Sequence, residues 1–264
     1  MSALSQRFAD LQSRNEKALI CYVTAGDPSL EALPEILSAL EGAGADVIEL
    51  GVPFSDPIAD GPTIQASTQR ALDRGVSPRK VLETVSRANV GVPLVLMGYA
   101  NPVHHWGFCD FAKAAREAGV SGTILSDLTP EESDDWIAAS RDSGLDTIFL
   151  AAPTSTDARL QAVCERSSGF VYAVSRTGVT SALVEVPPEV RGLVQRIKSF
   201  TDLPVGVGFG ISRPEHVRMV CEVADAAVVG SSLVDLLANR WQDGAGLREV
   251  SDYVSGLKAA TQPA

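Results

Sequence analysis

Glu49, Asp56 and Asp60 stand close together in the stretch ELGVPFSDPIADGP (49–62), which also holds three prolines and two glycines. Glu49 lies in the apolar run VIEL, which reads as the end of a buried strand, and the aspartates follow in a loop stiffened by Pro53 and Pro57. Strand side chains alternate faces, so Glu49 shares a side with Val47 while Ile48 and Leu50 share the other. A carboxylate on an apolar inner face has its charged form destabilised, and its pKa rises from about 4.3 toward neutrality. Such a group can both give and take a proton near neutral pH, which is general acid–base chemistry. Asp60 could serve the same site, or Asp60 or Gly61 could cap a helix opening at Pro62. Its spacing of eleven residues from Glu49 does not by itself show that the two converge.

Three glycine-bearing segments suggest a site for an anion: SRTGVTS (175–181), GFGIS (208–212) and VGSS (229–232). Glycine lets the backbone approach a ligand, and N–H groups at a helix start can hold a dianion without basic side chains. The last two segments follow the seventh and eighth strand-like runs, and together they point to a phosphate site around Gly210, Gly230 and Ser231. Tyr172 reads equally as barrel filling or as a hydroxyl contact to substrate. His104, His105 and His216 have no acidic or cysteine partner at ligand spacing, so no metal site is expected. Ser-His-Asp catalysis has no supporting nucleophile motif.

These groups need a scaffold that brings several strand ends to one mouth. Runs rich in β-branched residues recur at 18–24, 46–50, 93–98, 122–126, 146–151, 169–174, 204–208 and 226–230, with helical patterns between them. Alternating strands and helices imply parallel pairing. The eight units match a single (β/α)8 barrel over 1–264, with an extra N-terminal helix in MSALSQRFADLQSRNEK and a further helix between the second and third strands. A doubly wound open sheet is the rival, weakened by the lack of a dinucleotide glycine fingerprint after the first strand. The barrel turns Glu49 inward at its C-terminal mouth and leaves Ile48 and Leu50 for the helix-packed outside.

The chain has 264 residues, 45% of them hydrophobic and 21% charged, with a net charge of −11. That acidity argues against nucleic acid or an anionic membrane as a general partner. Cys21, Cys109, Cys164 and Cys221 are widely spaced and read as reduced thiols of a cytoplasmic protein. No signal peptide or membrane-spanning run is legible.

The stretch IELGVPFSDPIADGPTIQ closely resembles the signature of the tryptophan synthase alpha subunit family. Further blocks are similar along nearly the whole chain: YVTAGDPS (22–29), MGYANPV (97–103), AAPTSTDARL (151–160), VSRTGVT (174–180), GFGIS and VGSSLV. The resemblance implies a barrel with mobile loops at its C-terminal face that cleaves indole-3-glycerol phosphate to indole and glyceraldehyde 3-phosphate. Glu49 would be the general acid–base, and Asp60 would hold the indole N–H. Tyr22, Tyr99, Tyr172 and Thr180 would line the substrate pocket. Ser181, Phe209, Gly210, Gly230 and Ser231 would bind phosphate. The partner implied is a beta subunit carrying pyridoxal phosphate, in an alpha2beta2 assembly that passes indole through a tunnel, with Pro53, Asp56, Pro57 and Asn101 at the contact. No cofactor is expected in this chain.

Some positions depart from the family pattern. Ser181 replaces a common glycine, SDLT (126–129) replaces PDLP, and Tyr22 stands where phenylalanine is frequent. A stand-alone indole-releasing lyase, a weakly catalytic activator of a beta subunit and another phosphosugar barrel enzyme remain as competing readings.

Overall fold

The computed structural model describes residues 1–174, 187–208, 210–241 and 245–262. Among them the apolar runs form nine strands: β1 (Ala18–Thr24), β2 (Val47–Gly51), β3 (Leu94–Gly98), β4 (Val120–Leu125), β5 (Asp146–Thr147), β6 (Leu150–Ala151), β7 (Val171–Val174), β8 (Val205–Gly208) and β9 (Ala226–Val229). Every pairing is parallel, in the order β5-β4-β3-β2-β1-β9-β8-β7-β6.

β5 and β6 are two halves of the single run expected over 146–151. The first half pairs with β4 and the second with β7. Between them the Ile148 N–H donates to the Thr123 carbonyl at 2.9 Å, and the Phe149 carbonyl accepts the Tyr172 N–H at 3.1 Å. One extended segment thus changes partner midway and joins the two ends of the sheet, which gives the eight-stranded barrel.

Two hydrophobic layers follow from the alternation of side chains. Leu19, Cys21, Val23, Ile48 and Leu50 face outward into the layer shared with the helices. Ala18, Ile20, Val47, Val95, Ile124, Ile148, Phe170 and Val228 face inward. The N-terminal helix Ala3–Ser13 inserts Leu4, Phe8 and Leu11 into the inner layer and seals the barrel floor. Burial of this kind contributes about 25 cal/mol per Å² of apolar surface.

The connection between β2 and β3 holds the two helices Pro62–Asp73 and Pro78–Val85, each opening on proline. After β4 the chain opens a three-residue 3-10 turn, Pro130–Glu132, and breaks before the helix Asp134–Ser143. Ser133 causes the break: its Oγ donates to the Pro130 carbonyl at 2.7 Å and closes the turn.

Candidate active site

β2 carries Glu49 near its C-terminal end, where the register sets it opposite Tyr22 of β1 and Val95 of β3. Its side chain rises above Val47 and the sealed floor and is only 1% exposed. Neither carboxyl oxygen has a hydrogen-bond partner among the described residues. Burial, and secondarily the charge of Asp60, pushes the Glu49 carboxyl up to about 8. Glu49 is therefore neutral at pH 7 and close to its titration point, as a group that both gives and takes a proton needs to be.

Asp60 reaches the same mouth from the loop after β2. The loop is held by its own polar groups: the Pro57 carbonyl accepts the Asp60 N–H at 3.1 Å, and the Gln65 side-chain amide donates to the Asp60 carbonyl at 2.8 Å. Gly61 is the N-cap of the helix Pro62–Asp73, and no side chain makes a capping bond there. The Asp60 carboxyl is thus left for the cavity. Burial raises its pKa, and a hydrogen bond with Tyr99 opposes that rise. The Tyr99 hydroxyl also accepts the Ala59 N–H at 3.0 Å.

Two further tyrosines complete the wall, each against a glycine that gives it room. A Cβ on Gly51 would stand 2.0 Å from the Tyr22 hydroxyl oxygen, and one on Gly208 would stand 2.6 Å from that of Tyr172. Burial foremost raises the pKa of each hydroxyl, a contact with Thr24 opposes the rise at Tyr22, and the charges of Glu49 and Asp60 add to it at both.

On the far rim the helix Ser231–Arg240 opens at Gly230 with no side-chain cap and no acidic residue in its first turn. The Gly230 carbonyl accepts the N–H groups of Leu233 and Val234 at 2.9 and 3.0 Å. Because Gly230 directly follows β9, the helix starts at the C-terminal rim of the barrel and its partial positive charge lies there. Gly210, at φ +48°, is exposed beside it with open space where a side chain would be. Thr180, Ser181 and Phe209 lie outside the described residues.

Residues 8–262 match the family model described as tryptophan synthase alpha chain. The chain belongs to the tryptophan synthase alpha chain family. It is similar to the tryptophan synthase alpha chain of Burkholderia thailandensis, with 51% identity over 263 residues, 98% of this chain and 97% of that one. The corresponding protein of Thioalkalivibrio sulfidiphilus is 48% identical over 98% of this chain and 99% of its own. Among solved structures, tryptophan synthase subunit alpha from Legionella pneumophila str. Paris superposes with a TM-score of 0.90 at 35% identity, covering 99% of this chain and 98% of that one. Mycobacterium tuberculosis tryptophan synthase gives a TM-score of 0.91 at 39% identity, covering 100% and 99%.

In this member of the family, several supports of the site rest on pairings between distant segments that no single stretch of sequence shows. Tyr253 donates to Ser232 Oγ at 2.8 Å, and Ser232 Oγ donates to the Ile211 carbonyl at 2.9 Å, tying the two rim loops together. Buried His216 accepts the Ser212 N–H on Nδ1 at 3.3 Å. Thr24 Oγ1 and Ser67 Oγ lie 2.7 Å apart, and Arg70 forms a fork on buried Asp27 at 2.9 and 2.6 Å. In the departure SDLT, Asp127 accepts the Ala100 N–H at 2.7 Å and so holds the start of the helix Ala100–Trp106. Around the acidic loop Asp56 and Asn101 are exposed, Pro57 is half-buried and Pro53 is buried. Ile58, a position the sequence did not single out, is 82% exposed.

Proposed function

We propose that Glu49 and Asp60 carry out in this chain the reaction of its family, the retro-aldol cleavage of indole-3-glycerol phosphate to indole and glyceraldehyde 3-phosphate. One observation above all supports the assignment: a buried carboxyl without partners among the described residues, held near pH 8 at the mouth of the barrel. Neutral Glu49 gives its proton to the ring carbon that bears the glycerol chain. The pyrrole ring then carries positive charge, which the Asp60 carboxylate stabilises through the indole N–H. As the glutamate carboxylate takes the proton of the adjacent side-chain hydroxyl, the bond between ring carbon and side chain breaks. Its electron pair returns to the ring, the hydroxyl carbon becomes the aldehyde, and Glu49 is neutral again.

Tyr22, Tyr99 and Tyr172 shape the pocket, and the Gly210 and Ser231 rim receives the phosphate, joined by Thr180, Ser181, Phe209 and Gly230. Asp56, Pro57, Asn101 and exposed Ile58 face a beta subunit, to which indole passes in an alpha2beta2 assembly. Pro53 shapes that surface from beneath. Pyridoxal phosphate belongs to the beta partner. Among the described residues no helix is long and apolar enough to cross a membrane. That, together with four free cysteines, supports a cytoplasmic enzyme.

Indole release from indole-3-glycerol phosphate, measured for wild type and Glu49→Gln with and without a beta subunit, tests the reading. Slow wild-type cleavage that the partner accelerates and Glu49→Gln loses is the expected result. Fast cleavage without a partner would point to a stand-alone lyase, and cleavage by Glu49→Gln would remove the role of Glu49.

A further inference from the structure

A tyrosine hydroxyl beside a buried carboxyl would ordinarily donate to it. Tyr22 is the register partner of Glu49, yet both Glu49 oxygens lack a partner among the described residues. The hydroxyls leading away from Tyr22 account for this. Ser67 Oγ donates to the Ile64 carbonyl at 2.8 Å, and a carbonyl can only accept. The single Ser67 proton is thereby used, so in the 2.7 Å contact between Thr24 Oγ1 and Ser67 Oγ the threonine is the donor. With the Thr24 proton used in turn, Tyr22 is the only donor left for the contact between its hydroxyl and Thr24 Oγ1, a long and weak one at 3.4 Å. All three bonds coexist in one order only: Tyr22 to Thr24 to Ser67 to the Ile64 carbonyl. The chain crosses the barrel rim at Gly51, where any side chain would displace the Tyr22 hydroxyl.

We propose that the hydroxyl chain Tyr22–Thr24–Ser67 is a positioning device that commits the Tyr22 proton away from Glu49 and presents only oxygen lone pairs to the catalytic carboxyl. It rests on the reading of Glu49 as the acid–base. A carboxylate that gains a donor becomes a weaker base and stays charged at lower pH. Withholding the donor keeps Glu49 a neutral acid when substrate arrives, in keeping with its raised titration point.

The ionisable groups facing Glu49 are Tyr22 from β1, Tyr172 from β7 and Asp60 from the loop after β2. The inward positions of β3, β4, β6, β8 and β9 near it are Val95, Met97, Ile124, Leu150, Gly206 and Val228, none of which titrates.

The inference separates two substitutions that would otherwise look alike. Thr24→Val removes the acceptor for Tyr22 and frees its O–H to turn to Glu49. Tyr22→Phe removes the donor altogether. The test is a carboxyl-carbon NMR titration of the full chain without substrate, with the Glu49 signal assigned by its loss in Glu49→Gln. In Thr24→Val the Glu49 midpoint moves about one pH unit to the acid side, the size expected for one added charge-assisted hydrogen bond. Tyr22→Phe gives no acid shift, and Tyr22→Phe combined with Thr24→Val abolishes the shift of the single variant. An unmoved midpoint in Thr24→Val, or the same acid shift with Tyr22 absent, would overturn the proposal. Should Thr24→Val not fold, Ser67→Ala opens the chain one link further out and is judged by the same outcomes. The titration needs no turnover, so cleavage by Glu49→Gln would defeat the catalytic reading separately.

Discussion

Tyr99 reaches across from the end of β3 to accept the Ala59 N–H at 3.0 Å, one residue before Asp60. The same hydroxyl hydrogen-bonds Asp60, and its ring lies 5.2 Å from that of Phe54 in the same loop. One side chain thus fixes both the backbone and the carboxyl of the second acidic group. Tyr99→Phe keeps the ring packing and removes both polar contacts. We expect kcat/KM for indole-3-glycerol phosphate to fall about tenfold, the rate equivalent of about 1.4 kcal/mol and in the range of one hydrogen bond to a charged group. Unchanged steady-state kinetics would show that the loop is held by other means.

Glu49 also leaves a signature in stability. Its folded-state pKa is raised from an ordinary 4.5 to about 8. An acid raised in this way favours the folded state fully below its unfolded pKa, and that contribution is lost as pH rises through the folded value. Over that window the unfolded chain sheds a proton that the folded chain retains, which costs on the order of 3–5 kcal/mol. Glu49→Gln has no proton to lose there. The melting temperatures of wild type and Glu49→Gln should agree near pH 4.5 and separate by pH 8, with the variant the more stable. Parallel curves across that range would mean that Glu49 is already ionised in the folded protein.

The inward direction of Glu49 was legible because Val47, Ile48 and Leu50 fix the strand's two faces within a few residues. The glycine-bearing rim was legible in part, since two glycine loops follow consecutive strands. Convergence of Asp60 with Glu49 was not legible. It depends on Tyr99, forty residues beyond Ala59, and on Gly61 rather than Asp60 taking the capping position. The hydroxyl chain was hidden for the same reason, because Thr24 and Ser67 are 43 residues apart and nothing in the block around Thr24 points to Ser67. A continuous apolar run such as DTIFLA also carries no mark of where it exchanges one neighbouring strand for another.

Gly51 tests how tightly the wall is fitted. Its Cβ would meet the Tyr22 hydroxyl at 2.0 Å and the ring carbon bearing it at 2.6 Å. Gly51→Ala therefore displaces Tyr22 or spreads β1 from β2, at a cost of about 1–3 kcal/mol in unfolding free energy. Gly42→Ala is the matched control, because a Cβ there meets nothing within 4 Å. Denaturant unfolding should separate the two, with Gly51→Ala also losing cleavage rate and Gly42→Ala retaining it. Equal stability of both variants would mean that the wall has slack where the glycine suggests none.

Arg70 clamps the helix that follows the Asp60 loop onto the end of β1. Its guanidinium donates through Nε and Nη2 to the two oxygens of Asp27, at 2.9 and 2.6 Å, and the Asp27 side chain is only 3% exposed. Arg74 stands farther off, at 3.8 Å. Arg70→Ala leaves a buried carboxylate with one distant partner, a change that costs about 2–4 kcal/mol after allowance for the partly exposed arginine. Lysine in its place keeps the charge without the planar fork, so Arg70→Lys should recover only part of the loss. Because the helix Pro62–Asp73 begins two residues after Asp60, the loosened clamp should also lower kcat/KM. Thermal unfolding and indole-release kinetics on the two variants decide the matter: full stability in Arg70→Ala would show that Asp27 does not depend on Arg70.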